Sequence, residues 1–340
     1  MAPALCWSVQ ITRPCRRLPA KAILAEYEAE KAKFEQLWAE RIRPAKEALK
    51  KESEGAGISL NFVIDKFPKL IKVKAFPADD PKTPKTFRNL KKSLFEAGSG
   101  YGFDLICPRD QQKGCSLVDA MYEEDEANRG LATHFVSWCW GYTVEQVCSS
   151  LQSWRAGAGK PKKKSPTYLW MCFFCNNQYR IHKGQTKPEE LKEAFESNLR
   201  DIGKMLLGIL LQITRLIILD SCVKPKYTER MWCVFETFVS VQQKIQPELI
   251  LPESATESLA EDMKKEKDPR KVMQQMKQHL DAIKVENATA SEKADEDAIK
   301  KLIEDDMGYK EVNTTVRERL KKPMGDVIKK YFEAFMDDDS

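Results

Sequence analysis

The sequence predicts an α/β fold in which a parallel sheet carries helices on both faces. Three observations predict it: short, nearly unbroken apolar runs at 131–137, 168–174 and 215–219; amphipathic helical stretches between them; and a polar residue closing each run. Strands buried on both faces read as continuous apolar runs, and strands alternating with helices need crossovers that lay the strands parallel.

Length and composition set the frame. The 340 residues suffice for two modest domains or for one domain with large extensions. Charged residues make up 31% and mean hydropathy is -0.51, as in a soluble globular protein. With 56 basic and 51 acidic residues the net charge is only +5, which points away from nucleic acid as a partner. The most apolar stretch, Met205 to Leu219, is interrupted by Gln212, Thr214 and Arg215, so no membrane span is expected. Most of the ten cysteines lie in apolar segments, without the framework of a secreted disulfide protein, and a cytoplasmic location is expected. Residues 1–22 lack acidic side chains and carry Arg13, Arg16, Arg17 and Lys21, the composition of an organelle transit segment or of a disordered tail.

Taken in order, Ala20 to about Glu54 reads as a long charged helix with a glycine stop near Gly55 and Gly57. Its narrow apolar stripe (Ile23, Tyr27, Phe34, Leu37, Trp38, Ile42) suits docking on the main domain or pairing with another helix. LNFVI and LIKVKAF, within 60–76, alternate like short strands, and Thr86 to Phe95 reads as a helix. Arg109 and Asp110 fall among turn residues, either near a site or fixing a loop through an ion pair. The first parallel strand is expected at Leu131–Ser137, with Trp138 and Trp140 at its mouth, where an aromatic can stack on a flat ligand or cover the core. An amphipathic helix follows over 143–154, and the Gly/Pro/Lys-rich segment 155–167 lacks the order of a phosphate-binding loop. The second strand is expected at Tyr168–Phe174, with Asn176 and Asn177 at its polar exit; their amides suit ribose hydroxyls, a carboxamide, or loop backbone. A single C-x-x-C (Cys172, Cys175) and three scattered histidines argue against a zinc site.

A long helix is expected from Pro188 to Ile213 and a fourth strand at Glu248–Leu251. Helical segments are expected over 257–285, 291–307, 312–321 and 325–336, amphipathic and packed on the core. The stretch from Arg215 to Gln243 is the centre of the argument. Four aliphatics, Leu216–Leu219, end at Asp220 and Ser221; a loop containing Pro225 follows, then a helix with Thr228 as N-cap and Glu229 in its first turn. Met231, Val234, Phe235, Phe238 and Val241 recur at helical spacing, while Glu236 shares a face with Trp232 and Cys233.

A strand ending in Asp-Ser, a short loop and a helix carrying Trp-Cys-x-x-Glu resembles the third strand and following helix of Toll/interleukin-1 receptor (TIR) domains. The order THFVSWCW, LWMCFFCNNQ, ILDS and MWCVFE is similar to a TIR-like family abundant in unicellular algae and other protists. The resemblance implies a flavodoxin-like parallel sheet at 128–252, after a tail at 1–22 and an N-terminal helical/α+β extension at 23–127, and before a C-terminal helical extension at 253–340. In plant and bacterial members that cleave NAD, the motif's glutamate is catalytic. On that basis Glu236 is the expected catalytic residue, with Ser137, Trp138, Trp140, Asn176, Asn177, Asp220, Ser221 and Trp232 expected around the substrate. NAD(P)+ is then a substrate, no cofactor or metal is required, and assembly into a homo-oligomer is expected. Many relatives carry an Asp inside the second strand where this chain has Cys172. TIR domains also act by homotypic contact without turnover, and on residue chemistry alone Glu236 is a surface carboxylate pairing with Lys224, Lys226 or Arg230.

Overall fold

A computed structural model describes residues 20–74, 84–96, 98–157, 166–207, 215–243, 245, 247–266 and 268–338. The chain divides into two compact units, Met1–Leu49 and Lys50–Ser340. The described part of the first is helical: Ala20–Leu37, then a wider turn at Trp38–Ile42, then the start of the Arg43–Glu54 helix. Ile23, Leu24, Tyr27, Phe34, Leu37 and Trp38 on this unit are exposed. The expected basic tail and the lysine-rich part of 155–167 fall largely outside the described residues.

The second unit is α/β and is built on one six-stranded mixed sheet: β1 (Ala56–Ser59), β2 (Arg129–Leu131), β3 (His134–Ser137), β4 (Tyr168–Trp170), β5 (Arg215–Ile218) and β6 (Pro247–Ile250). Their spatial order is β2-β1-β4-β3-β5-β6. The last four described strands pair with one another in parallel, Phe135 lying beside Trp170 on one side and Arg215 on the other, while β1 runs antiparallel to both of its neighbours, β2 and β4. Counting the parallel strands alone, the order is second, first, third, fourth, which is compatible with a flavodoxin-like fold. The chain leaves β3 for one neighbour and crosses back over it to reach the other, so right-handed crossovers put helices on opposite faces. Accordingly the Val144–Ala156 helix packs with Glu253–Glu266, and the Pro188–Leu207 helix packs with Met231–Gln242. No helix among the described residues is long and apolar enough to cross a membrane.

Several elements differ from expectation, each for a local reason. LNFVI and the described part of LIKVKAF are helical, Phe62–Lys66 and Phe67–Lys74, and the strand lies instead at the expected glycine stop. Helical spacing lets Phe62, Val63, Phe67 and Ile71 bury together. The expected strand over 131–137 is split, Leu131 pairing at the sheet edge and His134 at the centre. The break is held at Thr133, whose hydroxyl donates to Tyr168 O at 2.9 Å and accepts from Tyr168 N at 3.0 Å. The second strand stops at Trp170 because Cys172–Cys175 forms a helical turn. In a strand Phe173 and Phe174 would point to opposite faces. The turn brings both to Phe87, with ring centroids 5.0 and 6.3 Å away. The C-terminal segments expected at 312–321 and 325–336 are one helix, Tyr309–Asp338, running through Pro323; Val312, Val316, Leu320, Met324 and Ile328 keep a buried stripe across the proline.

Candidate functional site

Glu236 stands on the second turn of the Met231–Gln242 helix, whose polar side faces the sheet between β3 and β5. That helix does not begin at Thr228. Residues Lys226–Glu229 form a 3-10 turn, Arg230 is the N-cap, and the Thr228 hydroxyl donates back to Pro225 O at 2.8 Å while meeting His279 Nε2 at 3.0 Å. Glu236 itself is 6% exposed. The surface pairing with Lys224, Lys226 or Arg230 does not occur: the carboxylate accepts a hydrogen bond from the Ser137 hydroxyl at the carboxyl end of β3.

Behind Ser137 lies Arg215, the first residue of β5, wholly buried. It starts beside Phe135 in the register, and its side chain reaches up the sheet toward Ser137. Its Nη2 donates to Ser137 Oγ at 3.0 Å and to Tyr227 OH at 2.8 Å, and its Nη1 donates to Ser240 Oγ at 2.6 Å. Tyr227 OH lies 2.6 Å from Ser137 Oγ and 3.0 Å from Thr237 Oγ1. A buried charge is costly unless it is hydrogen-bonded, and the helix serves both terminal nitrogens with Thr237 and Ser240 one turn apart, while Nε has no partner. Burial pushes the Glu236 carboxyl up to about 7, against the opposing pull of the Arg215 charge and of the Ser137 hydrogen bond. Burial likewise raises the thiols of Cys172 and Cys233 and the phenol of Tyr227, so these neighbours are neutral at pH 7.

The remaining expected site residues divide by what holds them. Trp138 is 4% exposed, its ring edge-on to Phe87 at 4.2 Å, so it covers the core. Trp140 is half-buried at the same strand end and donates Nε1–H to Cys172 Sγ at 3.2 Å. Trp232 packs its ring 5.3 Å from Phe195 and donates Nε1–H to Asp295 at 3.4 Å. Asn177 caps Gln178–His182 and donates to Gly114 O at 2.9 Å, while Asn176, also almost buried, ends the Cys172–Cys175 turn. Asp220 accepts from Lys226 N at 2.9 Å and from Tyr142 OH at 3.2 Å, and Ser221 accepts from Val223 N and Lys224 N, both at 3.1 Å. Arg109 and Asp110 fix their loop: Arg109 donates to Cys175 O at 2.6 Å, and Asp110 takes Arg180 in a two-pronged pair.

Only Ser137 and Glu236, of the expected residues, therefore join directly. Arg215 and Tyr227 complete the cluster and were not anticipated. The signal for Arg215 was present, an arginine directly before four aliphatics, where a strand start buried on both faces has no water for it. Among the described residues no group of three or more His, Cys, Asp or Glu is arranged to hold a metal ion. Open α/β sheets bind ligands beyond the carboxyl ends of the strands where the strand order reverses, and β3, carrying Ser137, is that strand here. Comparison with family models, with curated proteins and with solved structures finds no match for this chain.

Proposed function

We propose that the chain is a TIR-like NAD(P)+ glycohydrolase of intracellular signalling, cleaving the bond between nicotinamide and ribose. The observation that carries this reading is the Glu236 carboxylate, hydrogen-bonded by Ser137 at the end of the strand where the order reverses. In the reaction the C–N bond breaks with its electron pair leaving on nicotinamide, and positive charge builds on the anomeric carbon. A carboxylate facing that carbon stabilises the oxocarbenium ion, as in glycoside hydrolysis. Water then adds to the carbon and loses a proton. Glu236 takes the carboxylate role, Ser137 holds it, and the half-buried Trp140 supplies a ring face at the same strand end. The flavodoxin-like order of the parallel strands and the intact Trp232-Cys233-x-x-Glu236 motif support the TIR-like assignment.

A second reading rests on a different observation. Glu236 is 6% exposed, so as it stands the carboxylate is closed to a substrate, which favours a TIR-like module that signals through homotypic contacts without turnover. The two separate in one experiment. Nicotinamide release from NAD+ and NADP+ is measured with the protein dilute and then crowded on a surface, beside Glu236→Gln. Release in the wild type that is lost in the variant supports the enzyme. No release in either state, with concentration-dependent self-association in both proteins, overturns it in favour of the module.

A further inference from the structure

The guanidinium of Arg215 makes its hydrogen bonds to hydroxyls, and those hydroxyls form a directed set. An arginine only donates, so each hydroxyl that accepts from it sends its single proton elsewhere. Ser240 Oγ donates to Thr237 O at 2.8 Å, and both Thr237 Oγ1 and Tyr227 OH lie 2.9 Å from Cys233 O. Three of the four hydroxyl protons thus have backbone carbonyls to go to, and the proton of Ser137 goes to Glu236 Oε2. Accepting a carboxyl proton instead would require the Ser137 and Tyr227 hydroxyls to turn, with the guanidinium charge still behind them.

We infer that Arg215 is the positioning residue of the Glu236 site, acting through Ser137 to favour the anionic form of a buried carboxylate and to aim it across the end of β3. The inference rests on the glycohydrolase reading for its purpose, because only the anion stabilises an oxocarbenium ion, but the electrostatic claim stands on the cluster itself. The groups facing Glu236 are Ser137 from β3, Arg215 from β5, Tyr227 from the turn before its helix, Cys172 beyond β4, and Cys233 on its own helix. Of these only Arg215 carries charge at pH 7. The C-terminal helix adds Arg319, which lies close enough for its charge and that of Arg215 to oppose one another.

The test reads the carboxyl directly. The full chain is labelled with 13C at the glutamate carboxyl carbons, and the Glu236 resonance is assigned by its loss in Glu236→Gln. Its titration is then followed in wild type, Arg215→Gln, Arg215→Lys and Ser137→Ala. Arg215→Gln is expected to raise the midpoint by about one pH unit or more, and Arg215→Lys to recover most of that rise by restoring the charge. Should Arg215→Gln not fold, Ser137→Ala decides, since it keeps the charge and removes the bridge; a raised midpoint is expected there too. A midpoint unmoved in folded Arg215→Gln, or unmoved in Ser137→Ala, overturns the inference. Nicotinamide release separates this outcome from the first proposal: shifted midpoints without turnover in any protein leave Arg215 in its role and remove the enzyme, whereas turnover whose pH profile ignores Arg215→Gln does the reverse.

Discussion

The hydroxyl of Ser137, at the end of β3, is hydrogen-bonded to the carboxylate of Glu236, a residue 99 positions further along the chain, and both are buried. The chain thereby joins a central strand to the second turn of a crossover helix by one charged contact rather than by apolar packing alone. Its cost has a pH signature. The folded carboxyl titrates near 7 against an ordinary value of 4.5, so between these values the native state holds a proton that the unfolded chain has released. Stability contributed by this group is fully present below about pH 4.5 and is lost as pH rises through about 7. Glu236→Gln removes the dependence. The variant is expected to unfold at higher denaturant than wild type at pH 8, by on the order of 3 kcal/mol, with the gap closing toward pH 5. Parallel wild-type and variant curves across that range would show that Glu236 does not titrate as described.

The same substitution separates chemistry from fold. Glutamine fits the space and still accepts from Ser137, so the circular dichroism spectrum is expected to be unchanged. It carries no charge to set against an oxocarbenium ion, and nicotinamide release is expected to fall by about two orders of magnitude or more. Turnover that persists in a folded Glu236→Gln protein would move the chemistry to another residue.

The parallel sheet was legible in the sequence because 131–137, 168–174 and 215–219 are apolar enough to require burial on both faces. What was lost is where each run bends. Nothing in LATHFVS marks Thr133 as the corner between an edge strand and a central one, because the corner depends on Tyr168, a partner 35 residues away. Nor does YLWMCFF show that Phe173 and Phe174 share one aromatic cluster, which only a helical turn allows. Ser137 and Glu236 were found by motif; Arg215 and Tyr227 were missed because their role exists only once β3, β5 and the late-starting helix are brought together.

Arg215 and Glu236 share no hydrogen bond, yet the Arg215 charge pulls against the burial that favours the neutral Glu236 carboxyl. Arg215→Met leaves Ser137, Tyr227 and Ser240 without their donor and the carboxylate without its counter-charge, and is expected to destabilise the wild type by about 3 kcal/mol or more at pH 8. In a Glu236→Gln background the carboxylate is gone, and the same change is expected to cost about 1 kcal/mol less. A double-mutant cycle in urea gives the coupling directly, and a value of zero would make the two residues independent.

Burial raises the thiols of Cys115, Cys148, Cys175 and Cys222 to about 12, so the reactive thiolate is scarce in the native state at pH 8. All eight cysteines of the described residues are free, and seven of them are buried. Alkylation of these four is therefore expected at the rate of opening, slow in buffer and complete within minutes in denaturant, with modification read site by site by mass spectrometry. Rapid labelling of Cys175 in the folded protein would contradict its burial at the end of the Cys172–Cys175 turn.

Gly130 in β2 lies against the ring of Tyr168 in β4, close enough that a Cβ built on the glycine would overlap ring atoms. The strand between them, β1, carries a second crowded glycine, Gly57, where an added Cβ would meet Ala132 Cα at 3.0 Å. The missing side chain at Gly130 is thus what gives the Tyr168 ring its place at this edge. Gly130→Ala is expected to destabilise the fold by about 1–3 kcal/mol, since the ring must leave its rotamer or the strands must part. Tyr168→Leu alone removes buried ring area and is also destabilising, but it opens the space the alanine needs. The combination Gly130→Ala/Tyr168→Leu is therefore expected to be less destabilised than the sum of its parts, and equilibrium urea unfolding of the four proteins measures the difference. Strict additivity would mean that the ring does not hold the edge, and that β2 is kept in register by its backbone pairing with β1 alone.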